Sequence, residues 1–314
     1  MTGRGRPWPD GLTLAAFGMA VMLGGGNFLA VRFSNQELPP FWGAGLRFGL
    51  AALSFVVIAW ALRLRRPRGL QLTLTAVYGS LSFAIFYALM YWALVRVTAG
   101  VATVVLATVP LATVLLAAAQ GLERLRPRAV VGALLALAGI AWMIVGPQQV
   151  VVPLSALAAM LAAALCVGQG IILGKRLSAN HPAMTNAVGM TVGSVLLLGL
   201  SAGAGESWAL PRQDEAVWAV SYLVTFGSVG LFVLVLLVVR RWTASATSYM
   251  FVLFPVATMA LGAWLAGEPV TGQAATGAAL VMLGVWFGAL SPGARSLPAP
   301  PPAQAPPPPA AESP

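Results

Sequence analysis

Long apolar runs alternate along the chain with short spacers that carry nearly all the charge. Ten runs stand out: Leu12–Phe33, Pro40–Leu62, Gln71–Val95, Ala99–Ala119, Ala129–Val145, Leu154–Leu173, Ala183–Ser201, Val217–Val239, Ala244–Ala266 and Ala274–Leu290. A bilayer core about 30 Å thick is crossed by a helix of about 20 apolar residues, so each run predicts a transmembrane helix. No spacer is long enough to hold an inserted soluble domain. Arg4 and Arg6 precede the first run as they would in a signal peptide. That run has full span length, however, and is expected to stay in the protein. The predicted fold class is therefore an all-α integral membrane protein with ten transmembrane helices.

Composition narrows the picture further. Of the 314 residues, 59% are hydrophobic and only 8% charged, against about 25% charged in an average globular protein. Mean hydropathy is +0.86. Too few polar groups remain to clothe a water-facing surface, which excludes a soluble enzyme, a disordered hub and a nucleic-acid binder. The net charge of +10 is explained by topology. With the N-terminus in the cytoplasm, the inner loops and termini carry 14 of the 18 basic residues. The outer side carries only Arg32, Arg96 and Arg212, and Arg47 lies within the second span. Basic residues favour the cytoplasmic side, so both termini are expected inside a cell membrane. Residues 297–314 are almost entirely Pro and Ala, a composition that forms neither helix nor sheet. Residues 292–314 read as a disordered cytoplasmic tail. The single cysteine, Cys166, lies in an apolar run and predicts packing, with no intramolecular disulfide.

The informative feature is a repeat. Sliding the chain by 145 residues places Pro110 on Pro255, Thr113 on Thr258, Glu123 on Glu268, Gly132 on Gly277 and Gly139 on Gly284. Just upstream, Arg96 meets Arg241 and Thr98 meets Thr243. Pro, Glu and Arg are scarce in and beside apolar runs, so their joint alignment argues for duplication. Residues 12–147 form the first copy and 153–291 the second, after an N-terminal segment 1–11. Each copy holds five spans, an odd number, so the second is expected to enter the membrane upside down. Such halves can exchange conformations around a central site, the architecture of alternating access.

The segments VLATVPLATVLLAAAQGLERLRPRAVVGALLALAGI, within Thr98–Ile140, and FVLFPVATMALGAWLAGEPVTGQAATGAALVMLGV, within Thr243–Val285, resemble the two repeats of the EamA family of the drug/metabolite transporter superfamily. GGGNFLAVRF, the LPP at Leu38–Pro40 and Arg47 in LRF resemble that family's first two spans. The resemblance covers residues 12 to 290. It implies an inner-membrane carrier, commonly an exporter of metabolites or amino acids. In one departure from the family pattern, Gly24–Gly26 stand where a tryptophan usually precedes the first-span glycine.

Individual residues refine the expectation. Pro110 and Pro255 each remove a backbone donor in mid-span, and their equal repeat positions suggest paired hinges beside a cavity. Asn27, Tyr87, Tyr91, Gln169 and Tyr249 are the candidate cavity residues. Asn27 follows three glycines, Gln169 lies between Gly168 and Gly170, and Tyr87 and Tyr91 share a helix face. Arg47 is a costly intramembrane charge, assigned a bracing role ahead of contact with an anionic substrate group. Glu123 and Glu268 end the fourth and ninth spans and read as loop anchors. No Asp or Glu occupies mid-span, which disfavours export of cationic drugs and a carboxylate proton relay. His181, the only histidine, sits in a predicted cytoplasmic loop beside Pro182 and is a poor relay. No catalytic constellation, metal cluster or cofactor motif is found, so no enzyme activity is expected. The partners expected are a small-molecule substrate and the lipid bilayer, without nucleic acid. A carrier of a small neutral, zwitterionic or weakly anionic metabolite is the first reading. The rival is a non-transporting scaffold or receptor partner that keeps the carrier fold with a plugged centre.

Overall fold

The computed structural model describes residues 10–121, 127–145, 152–177, 180–241, 244–267 and 269–287. Glu123, Glu268 and the Pro/Ala tail lie outside the described residues. In the first half the helices are α1 (Gly11–Ser34), α2 (Pro40–Ala61), α3 (Leu70–Gly79), α4 (Phe86–Leu94), α5 (Ala99–Leu106), α6 (Val109–Ala119) and α7 (Pro127–Val145). The second half contributes α8 (Leu154–Arg176), α9 (Pro182–Gly203), α10 (Asp214–Val224), α11 (Leu231–Arg241), α12 (Ala244–Leu265) and α13 (Gly272–Val285). Two π-helical turns, π1 (Ser80–Ile85) and π2 (Thr225–Gly230), join α3 to α4 and α10 to α11. Among the described residues there is no strand. Helix stands at every predicted run, and seven of the helical segments are long and apolar enough to cross a membrane.

Local chemistry sets the ends. Asp10 caps α1 by accepting from the Thr13 N–H at 2.9 Å, and Thr98 and Thr271 cap α5 and α13 through the N–H groups of Val101 and Ala274. Proline opens α2 and α9, where its missing N–H costs nothing. His181, read as a loop residue, serves as the α9 cap, its Nδ1 accepting from Ala183 N–H at 3.3 Å.

Among the described residues, three departures from regular α-helix bear on the centre of the fold. Between α5 and α6 the helix breaks at Ala107 and Thr108, just before Pro110. The interruption lies beside the proline singled out in the sequence. Pro255, by contrast, lies inside an unbroken α12. The other two departures are π1 and π2, which occupy equal positions in the repeat: Ser80 and Ile85 shifted by 145 residues become Thr225 and Gly230.

Packing follows the same duplication. The most extensive contacts are α2 with α9 and α7 with α13, each a helix against its own repeat counterpart. In like manner α1 packs on α12, and α8 packs on α6. Small residues permit these approaches, as is usual between membrane helices. A Cβ on Gly139 would stand 2.8 Å from the carbonyl oxygen of Gly277, and one on Gly284 would stand 2.7 Å from that of Gly132. The four glycines aligned by the repeat thus interlock crosswise, so α7 and α13 run antiparallel. The Gly24–Gly26 run leaves α1 unbroken and serves close approach: a Cβ on Gly25 would stand 2.6 Å from Ala257 Cβ. The outer surface is apolar, with Leu53, Val195, Trp60 and Trp264 strongly exposed, as befits a protein whose solvent is lipid.

Candidate functional site

Arg47 organises the polar centre of the molecule. It is wholly buried on α2, and its guanidinium spans to the widened turn π2 in the other half. Nε donates to Ser228 Oγ at 2.9 Å and Nη2 to the Gly227 carbonyl at 3.0 Å, while Nη1 reaches the Tyr91 hydroxyl at 3.5 Å. The guanidinium carbon also lies 5.0 Å from the ring centres of both Phe48 and Tyr87, a cation–π distance. Asn27 joins the group from α1, its Nδ2 donating to the same Gly227 carbonyl at 3.0 Å. Its Oδ1 is buried without a hydrogen-bond partner. Three elements from both halves, α1, α2 and π2, therefore meet at one carbonyl, with α4 joined through Arg47, on a π-helical turn of the kind that often marks functional positions.

Three of the five expected cavity residues belong here: Asn27, Tyr87 and Tyr91, all buried. Tyr91 also links to α1 through its own carbonyl, which accepts from Asn35 Nδ2 at 3.0 Å. Gln169 goes elsewhere: its Oε1 accepts from Gln120 Nε2 at 2.7 Å, beside the end of α6. Tyr249 falls within α12, but its side chain lies outside the described residues. Pro110 and Pro255 are both buried on the helices that pack against α8 and α1. Arg47 contacts side chains and backbone at the buried centre rather than bracing helix ends at an interface.

The centre is one-sided. Shifting by 145 residues turns Asn27 into Ile172, Arg47 into Val192 and Tyr91 into Leu236, while Ser228 corresponds to Phe83. Phe83 is surrounded by rings, with centroids 5.4 Å from both Phe48 and Phe232 and 5.6 Å from Tyr78. One half of the pseudo-symmetric centre is polar and its counterpart is an aromatic cluster.

Near the α1–α2 and α9–α10 loops, a reciprocal clasp joins the halves. Glu37 of the first half accepts from Arg212 N–H and Gln213 N–H at 2.8 and 2.9 Å, at the start of α10. Glu206 of the second half accepts from Phe41 N–H and Trp42 N–H at 3.2 and 2.7 Å, capping an α2 that has no cap of its own. Trp42 stacks on Trp208 with ring centroids 5.1 Å apart. Toward the opposite ends of these helices, Asn180 Nδ2 donates to Gln71 Oε1 at 3.4 Å.

The family model of the EamA-like transporter family matches residues 11–145 and again residues 154–289. The chain belongs to that family. Its two matched segments are the two repeats, and the family is one of membrane transporters. A probable terminal-alkyne amino-acid exporter of Streptantibioticus cattleyicolor is 29% identical over 240 residues, covering 76% of this chain and 80% of the exporter. A probable amino-acid metabolite efflux pump of Salmonella typhimurium is 27% identical over 285 residues, covering 86% of this chain and 92% of the pump. A solved crystal structure with a TM-score of 0.64 and 22% identity covers 88% of this chain and 96% of its own, and shares the fold.

Ser228 and Gly227 were not singled out in the sequence. Serine and glycine are common in apolar spans, and only the widened turn gives them their positions. A signal was nonetheless present: Gly227, Ser228 and Gly230 interrupt an otherwise bulky run, and Thr225 and Gly227 fall at the repeat positions of Ser80 and Ser82.

Proposed function

We propose that this EamA-like transporter is a secondary carrier that exports a small, amino-acid-like metabolite, neutral, zwitterionic or weakly anionic, by alternating access. Ten spans cross the cell membrane in two inverted five-helix repeats, with both termini in the cytoplasm. The observation that carries the reading is the buried meeting of Arg47, Asn27 and Tyr91 from the first half with Gly227 and Ser228 from the second. A polar centre on the seam between two pseudo-symmetric halves is where a rocking carrier holds its cargo. A scaffold that merely retained the fold would have no use for it. The inversion is supported by the antiparallel α7 and α13 and by the loops. The Glu37 clasp holds the α1–α2 loop beside the α9–α10 loop, whereas the Asn180 contact holds the α8–α9 loop beside the start of α3. The α1–α2 and α8–α9 loops are repeat counterparts on opposite faces. With the arginine-rich loops inside, the clasp closes the outer face, and the break before Pro110 is the hinge.

The amino-acid class rests on the names of the two relatives. Proteoliposomes loaded with single radiolabelled metabolites test the proposal. Efflux of an amino-acid-like compound above that of empty-vesicle controls is expected. Absence of flux for every compound of a broad panel, with the protein folded, overturns it.

A further inference from the structure

We propose that Arg47 is the subsite for a carboxylate on the transported molecule and that Asn27 Oδ1 receives its amino group, an inference that rests on the carrier reading above. The argument begins with charge. A guanidinium stays protonated in any protein environment, and inside a membrane it is costly unless an anion or a dense set of acceptors meets it. Arg47 is wholly buried, yet its hydrogen-bond partners are a hydroxyl, a carbonyl and a distant phenol. The acidic side chains of the described residues are placed elsewhere. Asp10 caps α1, Glu37 and Glu206 hold backbone N–H groups of the clasp, and Asp214 and Glu215 open α10. The charge is thus held by neutral groups alone. Among the described residues Nη1 has one hydrogen-bond contact, at 3.5 Å, and is the guanidinium nitrogen left to bind a further acceptor.

A second observation is independent of the charge. Among the described residues, three buried side-chain atoms have no hydrogen-bond partner: Asn27 Oδ1, Ser34 Oγ and Asn35 Oδ1. All three belong to one stretch of α1 and its C-terminal cap. Asn27 and Ser34, seven residues apart, share a helix face. Buried acceptors without donors are costly, so their grouping marks where a donor-bearing guest fits. Asn27 Nδ2 and Arg47 Nη2 donate to one carbonyl at 3.0 Å each, which places Asn27 beside the guanidinium. Donors at Arg47 and an orphan acceptor at Asn27 match the carboxylate and ammonium of one α-amino acid, whose two groups are separated by a single carbon. The other orphan atoms continue along α1 toward the clasped face. The counterpart positions, Val192 and Ile172, bear no such chemistry, so the cargo has one charged binding orientation.

The test uses the full chain in proteoliposomes and matched probes: aliphatic and aromatic L-amino acids, their primary amides, which lack the carboxylate, and the corresponding acids, which lack the amine. The acids with amines are expected to outcompete their amides about tenfold or more, the scale of a charged hydrogen bond. Arg47→Gln removes that preference and Arg47→Lys keeps part of it. Asn27→Asp is the second arm, because it sets a carboxylate of the protein's own against Arg47. It is expected to fold, judged by a monodisperse peak and an unlowered melting temperature, and to lose amino-acid transport. Asn27→Ala loses the preference for the amino acid over the deaminated acid. A folded Arg47→Gln or Asn27→Asp variant that retains the carboxylate preference overturns the assignment. So does a wild-type protein that moves amides or other neutral compounds as well as it moves acids, and in that case the carrier reading stands. If nothing of any class moves, the carrier reading falls and this assignment falls with it.

Discussion

Glu206 is far in sequence from the helix it caps, and its effect is local and measurable. Its carboxylate takes two backbone N–H groups at the start of α2, and Pro39 and Pro40 offer no side-chain alternative. Glu206→Ala is expected to cost about 1–3 kcal/mol, read as a lower melting temperature in detergent. An unchanged melting temperature would show that the clasp contributes nothing to stability. Glycine substitutions sort by the same geometry. Gly139→Val drives a side chain into the Gly277 backbone and is expected to destabilise by about 1–3 kcal/mol. A Cβ on Gly199 meets nothing within 4 Å, so Gly199→Ala is expected to be neutral or to stabilise by up to about 1 kcal/mol. Equal melting temperatures for the two variants would refute the crosswise crossing of α7 and α13. The sequence identified Arg47 as the one basic residue well inside a span and paired the glycines by register. It did not reveal their partners, because Ser228 lies 181 residues from Arg47 and Gly139 packs on Gly277 rather than on its own counterpart.

At the level of elements, the ten apolar runs located the helices to within a few residues, since hydrophobic length alone decides where a chain can cross lipid. The same runs could not disclose π1 or π2, because an apolar stretch reads alike whether its hydrogen bonds skip four residues or five. Nor did equal prolines predict unequal helices. The Leu106 carbonyl loses its regular donor at Pro110, and the chain breaks at Ala107 and Thr108, whereas α12 absorbs Pro255 without interruption. Pro110→Ala is therefore expected to fuse α5 and α6, favouring one conformer by on the order of 1–3 kcal/mol. Such a bias shifts a two-state population about tenfold or more and slows transport accordingly. Pro255→Ala has no break to mend and should leave the transport rate within about twofold of wild type. Initial rates of counterflow compare the two, and a larger defect from Pro255→Ala would remove the hinge from the first half.

For the whole molecule, the proposed inversion requires equivalent loops to face opposite compartments. Gln36 and His181 are separated by the repeat interval of 145 residues, and both are exposed. Leu210 and Arg65 form a second equivalent pair, also exposed. The Glu37 clasp ties the loop of Gln36 to the segment containing Leu210, and the Asn180 contact ties the neighbour of His181 to the start of α3, which follows Arg65. Duplication without inversion would put each equivalent pair on one side. The proposed inversion would put Gln36 with Leu210 and His181 with Arg65 instead, and on that reading the basic 63–68 segment places the latter two on the cytoplasmic side. Single cysteines at these four positions, in a Cys166→Ser background, distinguish the arrangements with a thiol reagent that does not cross membranes. Gln36→Cys and Leu210→Cys are expected to label in intact cells, and Arg65→Cys and His181→Cys only after permeabilisation. Labelling of Gln36→Cys and His181→Cys from the same side would dismantle the inverted repeat, and with it the exchange of outward-open and inward-open states between halves of like structure.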